Sequence, residues 1–155
     1  MRLIFLQSGD KYTQRWLHRH NIKLSILEQI LTAVISKESV SKKDYMHDID
    51  IIMDKEYSSG YYFGVPELHI SSLSCNYKTR ERKLKAFFTD TLHEFCHWMQ
   101  DKILHIPGEK LDYTSDDIRD ESSKYWDNKY EVQAREFEVK YVEKCYNLYI
   151  TLEKF

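Results

Sequence analysis

Glycine and proline are scarce in this chain, at four and two of 155 residues. With so few breakers the chain is expected to form long regular elements, chiefly helices. Cysteine is scarce too: Cys75, Cys96 and Cys145 are far apart, odd in number and form no Cys-x-x-Cys pair. That argues against a thiolate zinc site and a disulfide framework, and it suits reduced thiols in a cytoplasmic protein. No run approaches 18 apolar residues, so no membrane span is expected. Met1–Leu6 is too short for a secretory leader, and Ser8-Gly9-Asp10-Lys11 follows it at once. Neither charge dominates: 23 basic against 25 acidic residues leave a net charge of −2, which gives no global field toward nucleic acid or a membrane surface. The length and the 42% hydrophobic content predict a single domain over residues 1–155 with a substantial core.

Against that background one stretch stands out: Thr91-Leu92-His93-Glu94-Phe95-Cys96-His97-Trp98-Met99-Gln100. It contains His-Glu-x-x-His, a zinc-peptidase signature. Residues four apart on a helix lie on nearly one face, so His93 and His97 can aim two imidazole nitrogens at one metal ion. Glu94 lies between them, where a carboxylate can reach a water on that ion and act as general base. Leu84, Phe88, Leu92, Phe95, Met99 and Ile103 form a core stripe on the far side of the histidines, and Phe87, Thr91 and Trp98 add bulk on a flank. Histidines on the second face of a covered helix need polar partners. A metal is one such partner; a hydrogen-bonded structural pair is the other.

Around this helix the chain reads as α+β. Arg2–Gln7 is a short apolar strand ended by Ser8-Gly9-Asp10, and Lys11–His20 has no clear period. There His18 and His20 read as surface residues. Ile22–Ser36 repeats apolar residues at helical spacing, and Lys37–Lys43 is a polar linker. His47–Met53, Tyr61–Val65 and Leu68–Leu73 alternate as strands, predicting a small, mainly antiparallel sheet, with His69 facing away from Leu68 and Ile70. The basic run Lys78–Lys85 reads as the solvated first turns of the motif helix, which Ile106-Pro107-Gly108 ends after about Leu104. Asp112–Glu121 lacks calcium-loop spacing and reads as a surface loop, and Asn128–Lys154 as a long amphipathic helix.

A catalytic zinc needs a third protein ligand. A histidine six residues beyond His97, with glycine between, is ruled out because Ile103 and Gln100 hold those positions. His105 would lie about 120° round the helix from His93. In the last helix, Ala134, Phe137, Tyr141, Val142, Cys145 and Leu148 make an apolar stripe that also contains Glu131 and Glu138, whereas Glu136 and Glu143 face away. A carboxylate on a buried face is costly unless it is ion-paired or metal-bound. Glu131 and Glu138 are separated by about 10 Å of helix rise, so one ion cannot take both directly. Glu131 is the expected ligand, and Glu138 the expected partner of a histidine.

His93-Glu94-x-x-His97 followed by Glu131-Val132-Gln133-Ala134-Arg135-Glu136-Phe137-Glu138 resembles the zincin superfamily of zinc metallopeptidases with a glutamate third ligand. The Glu-x-x-Ala-x-x-Phe pattern and the Trp98/Gln100 context look like small phage-type metallopeptidases and, more distantly, ImmA/IrrE-type peptidases. The resemblance covers roughly Phe87–Tyr141 and implies a minimal zincin-like fold and peptide-bond hydrolysis. The resulting expectation is a Zn2+-dependent peptidase acting on a peptide or protein. Its metal would be held by His93, His97 and Glu131, with Glu94 as base and a strand within Tyr61–Leu73 lining the cleft. Tyr113, Tyr125, Tyr130 and His105 are unranked candidates for an oxyanion donor. The rival is a non-catalytic interaction or regulatory protein on the same scaffold. A nucleic-acid partner is not expected.

Overall fold

Alternating apolar residues give each strand one face for a core, and amphipathic helices must bury their stripes against it. The computed structural model describes residues 4–38, 47–55, 59–62, 65–107 and 128–155. In order they form β1 (Ile4–Gln7), α1 (Lys11–Arg19), α2 (Leu24–Lys37), β2 (His47–Asp54), β3 (Gly60–Tyr61), β4 (Glu67–Ser71), α3 (Arg80–Lys102) and α4 (Lys129–Glu153). Among the described residues the fold is thus a small α+β arrangement of four helices and a four-stranded mixed sheet. Ile4, Leu6, Ile49, Ile51, Met53, Leu68 and Ile70 point into the core. Asp48, Asp50, Asp54, Glu67 and His69 occupy the alternate positions and stay at least partly accessible.

The sheet corrects the expectation of a mainly antiparallel arrangement. Its order is β1-β2-β4-β3; β1 with β2 and β2 with β4 are parallel, and only β3 with β4 is antiparallel. Parallel neighbours need a crossover of about a dozen residues. Helices α1 and α2 lie between β1 and β2 in the chain, and β3, which precedes β4 in the chain, lies outside it in the sheet. The strand expected over Tyr61–Val65 is observed only as Gly60–Tyr61, and residues 63–64 lie outside the described set.

Lys11–Arg19, which shows no clear period in the sequence, is a helix because Asp10 caps it. The Asp10 carboxylate accepts from the Tyr12 N–H at 2.8 Å and from the Thr13 hydroxyl at 2.9 Å. Thr13, Trp16 and Leu17 then fall on one buried face. Thr13 Oγ1 also accepts from the Met53 N–H at 2.8 Å, on β2 beyond the last β1 pairing. On edge strand β1, the Leu6 N–H is taken by buried Glu28 of α2 at 3.2 Å. Both contacts satisfy strand donors that no neighbouring strand among the described residues reaches.

Thr79 caps α3 by accepting from the Arg82 N–H at 3.3 Å. The helix closes where His105 turns left-handed (φ 55°) and the Ile106 N–H returns to the Gln100 carbonyl at 2.9 Å. The stripe on α3 is buried as expected through Met99, and Phe87, Thr91 and Trp98 are buried as well. On α4 the stripe differs at its end: Leu148 is 38% exposed, while Tyr149 is buried and its hydroxyl accepts from the Lys23 N–H at 2.8 Å. The basic run at the start of α3 is engaged in ion pairs, Arg80 with Glu153 and Lys85 with Glu81 and Glu143. Asp112–Glu121 lies outside the described residues. Among the described residues no helix is long and apolar enough to cross a membrane.

Thr13→Val keeps the side-chain shape but leaves the buried Met53 N–H without its acceptor. It is expected to cost about 1–3 kcal/mol, read as a lower urea midpoint at unchanged slope. A loss under about 0.5 kcal/mol would mean that another group accepts this bond.

Candidate metal centre

Helices α3 and α4 pack along one another, and Glu131 enters their interface from the first turn of α4. The Asn128 side chain starts that turn by accepting from the Tyr130 N–H at 2.9 Å. An acid in a helix's first turn is favoured by the helix dipole. Glu131 is nevertheless only 3% exposed, so its charge needs partners. It finds two: His97 Nε2 lies 2.9 Å from Oε1 and His93 Nε2 lies 3.1 Å from Oε2. Ligand atoms from His93, His97 and Glu131 all fall within 4.8 Å of one another, and this group can hold a metal ion. Neighbouring ligands on a tetrahedral zinc stand about 3.3–3.5 Å apart, and both histidine contacts of Glu131 fall slightly inside that spacing.

The other nitrogen of each imidazole is also occupied. His93 Nδ1 lies 2.9 Å from Glu138 Oε2, and His97 Nδ1 lies 2.8 Å from Gln100 Oε1. Histidines that bind metals are characteristically oriented this way by a partner on the second nitrogen. Glu131 and Glu138, two turns apart, therefore reach His93 from opposite sides of its ring. Among the described residues only Glu131 touches both histidines.

Charge follows the geometry. Burial pushes the His93 pKa down, but its bonds to Glu131 and Glu138 outweigh that and raise it to about 10. His97 is raised as well, burial being overcome chiefly by Glu131. Burial pushes Glu131 up, and its two histidine partners more than reverse this, holding it at about 2. Glu131 thus stays ionised and draws positive charge onto both rings. A divalent cation would place positive charge beside the same carboxylate, so the electrostatics of the cluster suit a bound metal ion as well as protonated imidazole. Burial raises Glu94 to about 7 against the pull of His93 and His97. The side chain is 6% exposed and shares the interior with the three convergent groups.

Edge strand β3 of the described sheet is fastened to α3 on both sides of the motif. Ser59, just before β3, donates to Asp90 Oδ2 at 2.9 Å, and Ser74 donates to the same oxygen. Tyr61 donates to Asp101 Oδ2 at 2.6 Å. Asp90 and Asp101 have no role in the sequence pattern, and Gln100 enters it only through the Trp98/Gln100 context of the resemblance. The available signal was spacing: Asp90 is one turn before His93, and Gln100 is three residues after His97. Other candidates lie elsewhere. His105 is exposed beyond α3, His18 is exposed, and His20 is beside Lys83. His69 is held on the outer sheet face by Asp54 at 2.7 Å and Glu67 at 2.9 Å. Tyr113 and Tyr125 lie outside the described residues, whereas Tyr130 is half-buried beside Glu131.

Comparison with known proteins found no matching family, no matching curated protein and no matching solved structure. The resemblance to zincins therefore rests on the motif residues themselves.

The geometry ranks the two carboxylates. Glu131→Gln, like His93→Ala or His97→Ala, should reduce zinc affinity severely in competition titrations, while Glu138→Gln should cost about 10–100-fold. A larger loss from Glu138→Gln than from Glu131→Gln would reverse the assignment.

Proposed function

We propose that this chain is a zinc-dependent peptidase of minimal zincin-like architecture that hydrolyses a peptide bond in a peptide or protein substrate. One observation carries the reading. The two histidines of a His-Glu-x-x-His helix meet a single buried carboxylate from a neighbouring helix, with the motif's own glutamate buried among them. Two imidazoles and one carboxylate are a donor set that zinc accepts in catalytic sites, with a fourth position left for water or substrate. Zinc bound there supplies Lewis acidity, polarising a carbonyl and bringing the pKa of water down to roughly 7. Glu94 takes the proton of the attacking water and hands it to the departing amine, so that one carboxylate serves as base and then as acid. A site that only stabilised the fold would have no use for a buried carboxylate at that position.

The placement of β3 supports the same reading. This edge strand of the described sheet lies against the motif helix, where an extended peptide can pair with it by strand addition. Its links to Asp90 and Asp101 keep that strand in register with the helix.

Glu94→Gln is the decisive variant, because it retains shape and loses the proton acceptor. The variant should keep zinc by elemental analysis and lose about 10²–10⁴-fold in cleavage of an unbiased peptide library read by mass spectrometry. Equal cleavage by parent and variant would remove Glu94 as the base. A zinc-loaded parent that cleaves nothing in the library would point to a structural metal.

A further inference from the structure

We infer that Gln100 is a positioning residue that carries the hydrogen-bond direction of the α4 backbone into the metal centre and fixes which nitrogen of His97 faces the ion. The inference rests on the metal-centre reading above and adds a residue that the His-Glu-x-x-His pattern does not contain.

Gln100 is 1% exposed, and its amide group makes three contacts. Oε1 lies 2.8 Å from His97 Nδ1, and Nε2 lies 3.1 Å from the Tyr130 carbonyl oxygen and 2.8 Å from Gln133 Oε1. A main-chain carbonyl can only accept, so the amide end that faces Tyr130 must be the NH2 group. The oxygen is then turned to His97, and because it too can only accept, the His97 Nδ1 must carry a hydrogen. In a neutral imidazole this leaves Nε2 as a bare lone pair, the form in which it ligates a metal. That lone pair faces Glu131 Oε1 at 2.9 Å. Two acceptors at this distance repel unless positive charge lies between them. The direction set at Tyr130 thus reaches the cation position through Gln100 and His97.

The same contacts close a ring across the helix interface. Tyr130 and Gln133 lie on either side of Glu131 in the first turns of α4. Gln100 therefore ties the backbone beside one ligand to the side chain of another and fixes the separation of His97 from Glu131. Only an amide suits this position. A carboxylate could accept from His97 but could not donate to Tyr130, and an apolar side chain could do neither. His93 needs no such adaptor, because Glu138 accepts from it directly.

Zinc competition titrations on the full chain test the inference, with urea unfolding of each metal-free variant to verify that it folds. Gln100→Met matches the volume and removes every polar contact, and it should weaken zinc binding about 10–100-fold. Gln100→Glu restores the acceptor on His97 and should bind more tightly than the Met variant. A role in packing alone predicts the opposite order, so a Met variant equal to the parent or tighter than the Glu variant overturns the inference. The solvent-exposed Gln133 provides an independent arm. Gln133→Met should cost roughly three- to tenfold in the parent and less than about twofold in the Gln100→Met background. Losses that simply multiply would overturn the cross-helix link. A parent that takes up no zinc would overturn the metal-centre reading itself, whereas a zinc-binding parent with an unaffected Met variant would overturn only the role of Gln100.

Discussion

The contact on which the α3–α4 interface turns is one carboxylate between two imidazoles. Glu131 is buried at the start of α4, where an unpaired negative charge would strongly destabilise the folded state. His93 and His97 answer it from α3 at hydrogen-bond distance. Removing either side would leave the other uncompensated in the interior, so the two helices are bound electrostatically as well as by their apolar stripes. Those stripes run on past the site. Phe88 packs on Tyr149 with ring centroids 5.4 Å apart, and Ala134, Phe137, Tyr141 and Cys145 are buried along α4. Apolar contact holds the helices at a fixed separation, and that separation sets whether the three polar groups meet.

The residues of the centre were legible in the sequence because each violates a pattern. Two histidines one turn apart are conspicuous opposite a core stripe, and Glu131 is a charge inside an apolar face. Gln100 violates nothing. A neutral amide near the end of a helix reads as ordinary surface until its three partners are seen, and two of these belong to an element 30 residues or more away in the chain. Glu138 was recognisable as an inward charge whose spacing bars it from sharing an ion with Glu131 and leaves a histidine as its partner; which histidine, only the structure tells.

The fold was legible where hydrophobic period is strong and hidden where polar side chains decide. Helices α2, α3 and α4 carry periodic stripes, and their observed bounds fall close to the expected ones. The first helix has a mostly polar surface and is fixed by the Asp10 cap and by Thr13, which accepts from Met53 beyond the last β1 pairing. Strand direction has no signature in alternation. A strand reads the same whether its neighbour is parallel or antiparallel, so the mixed sheet had to come from the connections. Tyr149 replaces Leu148 on the buried side of α4 for a related reason. Its hydroxyl accepts from Lys23 and donates to the Asn21 carbonyl, binding the α1–α2 junction to the last helix. Apolar periodicity carries no information about that bond.

The two histidines are held unequally, and the inequality bears on the chemistry. His93 leans on a carboxylate, which raises the basicity of the opposite ring nitrogen and strengthens it as a donor. His97 leans on an amide, which orients the ring with less added charge. Two carboxylates behind the rings, together with Glu131 and Glu94, would crowd a fourth anionic group into a small buried volume. With an amide behind His97, the same tautomer is secured by a backbone carbonyl that carries no net charge. The carboxylates of the centre are then Glu131, where an ion can meet it, Glu138 behind His93, and Glu94, where the proposed reaction needs a proton acceptor.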